Sequence, residues 1–245
     1  MFDVGQGDAI FIDAPDMQVL IDGGPSDAVL EKLSSVLPPW DRSIDLVVAT
    51  HPHADHILGL DAVLGRYAVG ALVDTGTPYD TAAAEGFERL GGAAATVAQA
   101  GMSWELGNGA TLEVVWPEVP VTDAVDNVHD GNVVLLLTYG ETTMLLTGDA
   151  ETEHEEAFAL DLPHIDVLKV GHHGSDTSTG MTLVNLTSPD YAIISVGAEN
   201  DYGHPSPLVV DRLARSGAAV LRTDLDGDIR VLTEGDEPHV TTFPE

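Results

Sequence analysis

Three histidines and an aspartate stand within six residues, His51-Pro-His53-Ala-Asp55-His56, in a chain with ten histidines in all. Side chains two apart in an extended segment share a face, so His51 and His53 can grip one cation together. Asp55 and His56 fall where the chain turns into a helix and can face a second cation beside the first. Imidazole with carboxylate suits zinc, and also manganese or iron. An ordinary polar loop has no need of four potential ligands at this spacing, so a metal centre is the favoured reading. Two later segments extend it. Thr147-Gly148-Asp149 follows the apolar Met144-Leu145-Leu146, which puts Asp149 at a strand's exit. A carboxylate there can bridge a pair of cations, although a turn of this type alone is a common strand exit. Gly171-His172-His173-Gly174-Ser175 leaves another buried strand, and its glycines let backbone approach a ligand closely. Between the two adjacent histidines the spacing does not choose.

Such side chains need strands that end together. Residues 44–50 read as a buried strand stopping at His51, and Ile57, Leu60 and Leu64 recur at helical spacing from His56 to about Arg66. Residues 80–90 predict a helix capped by Thr81 and stopped by Gly91. Gly107-Asn108-Gly109 is a tight turn, and residues 133–139 and 142–148 form a hairpin about Gly140-Glu141 that delivers Asp149. A strand at 165–170 ends at His172 and His173, and one at 190–196 leads into the loop holding His204. Residues 207–216 predict a helix stopped by Gly217, and a last strand pair, 218–223 and 229–233, turns around Asp226-Gly227-Asp228. Strands interleaved with helices predict an α/β fold of layered sheets covered by helices. No repeat or linker divides the chain, so residues 1–245 read as one domain.

Hydrophobic residues make up 44 % of the chain and charged residues 20 %, with a mean hydropathy of +0.08, which excludes disorder as the general state. No apolar run approaches the ~20 residues needed to span a membrane, and no stretch has the pattern of a signal peptide. Cysteine is absent, which excludes disulfides and thiolate metal sites. Nine basic residues, with Lys32 and Lys169 the only lysines, oppose 41 acidic ones for a net charge of −32. Such a surface repels phosphate backbones at moderate ionic strength. It suits a halophilic source, where molar salt shrinks the Debye length to ~3 Å.

The run HPHADH resembles the metal-binding signature of the metallo-β-lactamase superfamily. DVGQGDA at 3–9, LIDGG at 20–24, TGDAE at 147–151, VLKVGHHGS at 167–175 and YGHPSP at 202–207 follow in an order similar to the C-terminal hydrolase domain of ComEC-type competence proteins and their free-standing relatives. The likeness covers about residues 2–233. It implies a four-layer αββα sandwich, two divalent ions (zinc or manganese), and phosphodiester hydrolysis, with DNA as a substrate and DNA uptake as the setting. His51 and His53 would ligate the first metal, and Asp55 and His56 the second. Asp149 would bridge, and His172 would complete the second site, with His173 as the alternative. The resemblance gives Asp22 the role of steadying a ligand histidine. It places His204 at the pocket rim, where a protonated imidazole could neutralise a phosphate oxygen or protonate a leaving group. Asp55 would also act catalytically, orienting a hydroxide that the two cations generate from water. His154, His164 and His239 lie outside the motifs and read as surface residues.

Three features depart from the pattern. The segment Asp126–Asn132 matches neither form the superfamily uses before the TGD strand, so His129 is either the first metal's missing ligand or an exposed loop histidine. Leu58 stands where relatives carry glycine. Met1 begins inside the first strand of the resemblance: taken as the true start it favours the cytoplasm, whereas an upstream segment would leave an extracytoplasmic location open. Aromatic residues at 5 % and nine basic residues supply no stacking platform or basic groove, so nucleic acid rests on the resemblance alone. Hydrolysis of a small ester, thioester or lactone by the same pair of metals is the alternative, and a non-catalytic metal-binding or interaction module a further one.

Overall fold

Val19-Leu20-Ile21 and Leu46-Val47-Val48 are unbroken apolar runs, the pattern of strands covered on both faces. The computed structural model describes residues 1–244 and places both runs inside a five-stranded sheet. Its strands lie in chain order: β1 (Ile10–Asp13), β2 (Gln18–Ile21), β3 (Ser43–Val48), β4 (Ala68–Asp74) and β5 (Thr96–Val97). All neighbours are parallel except β1 with β2. A seven-stranded sheet holds β6 (Ser103–Gly107), β7 (Ala110–Trp116), β8 (Val134–Tyr139), β9 (Thr142–Leu146), β10 (Val167–Lys169), β11 (Tyr191–Ile194) and β12 (Ala219–Arg222), again in chain order. Here β9 to β12 run parallel, so the exits of β9, β10 and β11 gather along one edge.

Three apolar layers hold the sheets together. Leu46, Val48 and Ile21 meet Leu112, Leu135 and Leu146 between the sheets. On the outer face of the first sheet, Leu20, Val47 and Ile44 pack against α1 (Ala28–Val36), α2 (Ala54–Leu64) and α3 (Ala82–Leu90) through Leu33, Leu60 and Phe87. On the outer face of the second, Leu145, Leu168 and Ile194 pack against α4 (Thr152–Phe158), α5 (Met181–Thr187) and α6 (Pro207–Ser216). The result is an αββα sandwich, in which each fully buried leucine or isoleucine contributes roughly 1.5–3 kcal/mol. No helix among the described residues is long and apolar enough to cross a membrane.

Close backbone packing sets where α2 begins. Gly23 donates its N–H to the His56 carbonyl at 2.7 Å, and Gly59 donates to the Gly24 carbonyl at 3.0 Å. A Cβ on Gly59 would stand 1.8 Å from the Gly23 oxygen, so only glycine allows this approach. Leu58, one residue earlier, is 38 % exposed. Thr81 caps α3 by accepting from the Ala84 N–H at 3.2 Å, and Gly91 follows the helix as its spacing predicts.

The last strand pair differs from the expectation. Residues 219–222 join the large sheet beside β11, and a helical turn at Thr223–Asp226 intervenes. The next strand, β13 (Asp228–Leu232), pairs instead with β14 (His239–Phe243). Apolar alternation shows that a segment is a strand, but the partner depends on which edge is free. His154 also departs from its reading as a surface residue. It is 8 % exposed, with Nε2 3.3 Å from Asp130, tying α4 to the turn that carries His129.

Candidate metal centre

His51 leaves the segment after β3, and His53 is the N-cap of α2, so the two stand on either side of a bend with His51 Nε2 2.9 Å from His53 Nδ1. His129 reaches them from a 3₁₀ turn at Val128–Gly131 and is only 6 % exposed. Asp149 follows β9. The ligating atoms of His51, His53, His129 and Asp149 all lie within 4.8 Å of one another. His129 is therefore buried in the cluster and is not a loop histidine facing solvent.

A second set adjoins the first. Asp55 and His56 open α2, and His173 enters from the loop after β10, again with ligating atoms within 4.8 Å of one another. His173 Nε2 lies 3.3 Å from Asp55 Oδ2 and 3.3 Å from His56 Nε2. Asp149 Oδ2 faces both sets, at 3.7 Å from His51 Nε2, 3.4 Å from His56 Nε2 and 3.5 Å from His173 Nε2. Of the two adjacent histidines, His173 is the one that stands with Asp55 and His56, and His172 stands with His129 and Glu151. Both histidines have left-handed backbone, φ 47° and 52°, which sends their side chains apart. His172 lies further out, 25 % exposed, with Nε2 3.9 Å from Asp149 and Nδ1 3.8 Å from Glu151.

Hydrogen bonds on the far side of each ring fix which nitrogen looks inward. His56 Nδ1 donates to Asp22 Oδ2 at 2.7 Å, His129 Nδ1 to the Asp149 carbonyl at 3.0 Å, and His173 Nδ1 to the Ser195 carbonyl at 2.9 Å. A carbonyl only accepts, so Nδ1 of His129 and of His173 carries a proton and Nε2 is the nitrogen left for the cluster. Asp22 is itself held by the Thr50 N–H and Thr50 hydroxyl, at 2.8 and 2.7 Å. Asn132 accepts from the Asp149 N–H at 2.9 Å and donates to the Thr147 carbonyl at 2.8 Å, which shapes the turn beneath the carboxylate.

Burial and mutual charge set the protonation. Burial holds His51 well below the usual imidazole range, helped by the neighbouring His56, and His53 is lowered chiefly by burial too. Burial also opposes charge on His56 and His173, but Asp149 outweighs it and raises both, with Asp22 adding to the effect on His56. Asp149 is driven well below the carboxylate range, because His173 and His56 overcome the cost of burial. Burial would raise Asp55, yet the hydrogen bond from His173 and the charges of His56 and His173 bring it to about 2. The carboxylates thus favour the charged form of His56 and His173, a compensation of negative charge that a cation would otherwise supply. Compact, buried nitrogen and carboxylate donors of this kind fit a divalent metal ion.

A family model described as "Beta-lactamase superfamily domain" matches residues 17–186. The chain belongs to the beta-lactamase superfamily. It is 36 % identical over 234 residues to "Recombination protein 2" of Haemophilus influenzae, covering 94 % of this chain and 28 % of that protein. It is 34 % identical over 254 residues to "ComE operon protein 3" of Bacillus subtilis, covering 94 % of this chain and 32 % of that one. The chain therefore spans less than a third of either relative. Solved structures share the fold: a putative metal-dependent hydrolase from Parabacteroides distasonis (TM-score 0.54, 15 % identity, 90 % of each chain) and CmlA, a diiron β-hydroxylase from Streptomyces venezuelae (TM-score 0.57, 16 % identity, 98 % of this chain and 53 % of that one).

In this beta-lactamase superfamily domain the histidine and aspartate cluster floors a cleft of about 350 Å³ lined also by Gln6, Tyr79, Thr81, Tyr202 and His204. His204 is at the rim as anticipated, its ring 5.8 Å from His172 and stacked on Tyr202 at 5.8 Å. Burial and the neighbouring His173 lower its pKa, which opposes the protonated form. Sequence reasoning missed Tyr79 and Tyr202, two isolated aromatics that only the fold brings to one cleft. It also passed over Asp8 and Lys169, although both lie within quoted motifs.

Proposed function

We propose that this chain is a two-metal phosphodiesterase acting on nucleic acid. The observation that supports it best is the single oxygen of Asp149 facing two histidine-rich donor sets at the floor of an open cleft. In this reading His51, His53 and His129 would hold one ion and Asp55, His56 and His173 the other, with the Asp149 carboxylate available to both. When bound, such a pair, zinc or manganese, supplies Lewis acidity and a nucleophilic water at neutral pH. Asp55, ionised across the neutral range, would accept a hydrogen bond from an attacking water and so orient it. His204 donates one N–H to a phosphoryl oxygen. Tyr79 and Tyr202 offer ring faces at the rim, where unstacked bases can rest. Relatives named for recombination and competence favour a nucleic acid substrate.

One observation favours a second reading. The residues lining the cleft include no lysine or arginine, and the chain carries a net charge of −32. A small ester, thioester or lactone would meet less repulsion there than a polyanion. Bis-p-nitrophenyl phosphate and single-stranded DNA, assayed beside a thioester panel with zinc or manganese, separate the two. Turnover of phosphodiesters is expected, and thioester turnover without it would overturn the choice.

A further inference from the structure

Two buried charges behind the cluster have no part in the chemistry above. Lys169, at the end of β10, is 1 % exposed and is among the largest fully buried side chains. Its ammonium pairs with Asp8, itself 1 % exposed, and donates to the Gly148 carbonyl at 2.7 Å. It also stands 3.7 Å from Asp149 Oδ1. A buried ion pair of this kind stabilises a fold little or not at all compared with an apolar pair of the same volume. Its placement on this one turn therefore calls for another account.

The two oxygens of Asp149 see different surroundings. Oδ2 faces the histidines of both donor sets, whereas Oδ1 has no hydrogen-bond partner and faces Lys169. The ammonium thus holds the turn from two points, the Gly148 carbonyl before the aspartate and the rear of its carboxylate. Asp8 fixes the ammonium in turn, and its other oxygen lies 3.6 Å from His173 Nδ1. Were Lys169 replaced by an apolar side chain, Oδ1 would lose the charge that faces it, and the carboxylate could rotate to present both oxygens to one donor set.

We propose that Lys169, anchored by Asp8, is a positioning residue that turns Asp149 so that one oxygen alone serves both metal positions. The inference rests on the two-ion reading. It also explains why one of only two lysines in so acidic a chain is spent in the interior.

Cobalt(II) titration of the whole chain tests it, read by visible absorption and by competition with a chelator. The unaltered protein is expected to take up two equivalents. Lys169→Met should keep the equivalent held by His51, His53 and His129, weaken the other by about tenfold or more, and change its absorption band as Asp149 shifts. Because that variant buries Asp8 without its ammonium partner, Asp8→Asn/Lys169→Met is made beside it, and the same result is expected of this double variant. Two equivalents in the double variant with unchanged affinity and absorption would overturn the positioning role while leaving the two-ion reading intact. Fewer than two equivalents in the unaltered chain would overturn the two-ion reading, and this inference with it.

Discussion

Replacing Asp22 by asparagine tests how the protein selects the ligating nitrogen of His56. The aspartate accepts from the Thr50 N–H, the Thr50 hydroxyl and His56 Nδ1 at 2.7–2.8 Å, and none of its surface is exposed. Asparagine has one oxygen for these donors. With that oxygen on the Thr50 N–H, its amide N–H points at His56 Nδ1, which must become the acceptor. The ring proton then moves to Nε2, the atom facing Asp149 and His173, and the lone pair meant for a cation is lost. Turning the amide over restores the tautomer but sets an N–H against the Thr50 N–H. A buried unsatisfied donor costs ~1–3 kcal/mol, equivalent to about 5- to 150-fold in affinity. Zinc affinity by chelator competition should fall within that range. Zinc bound as tightly by Asp22→Asn as by the parent would refute the tautomer argument.

Further outcomes follow from the same geometry. His173→Ala should lose an equivalent of metal and nearly all turnover, whereas His172→Ala should keep full metal content; elemental analysis of both decides which of the adjacent histidines is the ligand. Burial raises Glu155 on α4 from 4.5 to about 7, so the stability tied to its proton is complete below about 4.5 and is lost as pH rises through about 7. At 1.36 kcal/mol per pKa unit the effect has an upper bound of ~3 kcal/mol. Metal-free Glu155→Gln should therefore lose less stability than the parent between pH 5 and 8, and parallel urea-melt profiles would exclude it. Raising salt from about 0.1 to 2 M should raise the melting temperature, because self-repulsion among the acidic side chains is screened; a fall would contradict the halophilic reading.

Much of the layer pattern was legible because buried strands and amphipathic helices write their environment into local spacing. The helix after His56, the cap at Thr81 and the hairpin about Gly140 all appear where their residues predict. The exchange of partners by β12 and β13 was not legible, since alternation identifies a strand without naming its neighbour. His154 was misread for a related reason: a polar residue on a short helix shows no sign of the Asp130 carboxylate waiting beneath it.

The site divides in the same way. Types and spacing alone identified His51, His53, Asp55, His56 and Asp149 as metal-binding candidates, because ligand chemistry is local and strand exits can be read along the chain. Choosing His173 over His172, bringing His129 inward and putting Asp22, Thr50 and Lys169 behind the ligands required tertiary structure. Each of those outcomes depends on a left-handed backbone pair, a sheet edge or a hydrogen bond between segments distant along the chain. Proximity between remote segments is a property of packing, and no local pattern records it.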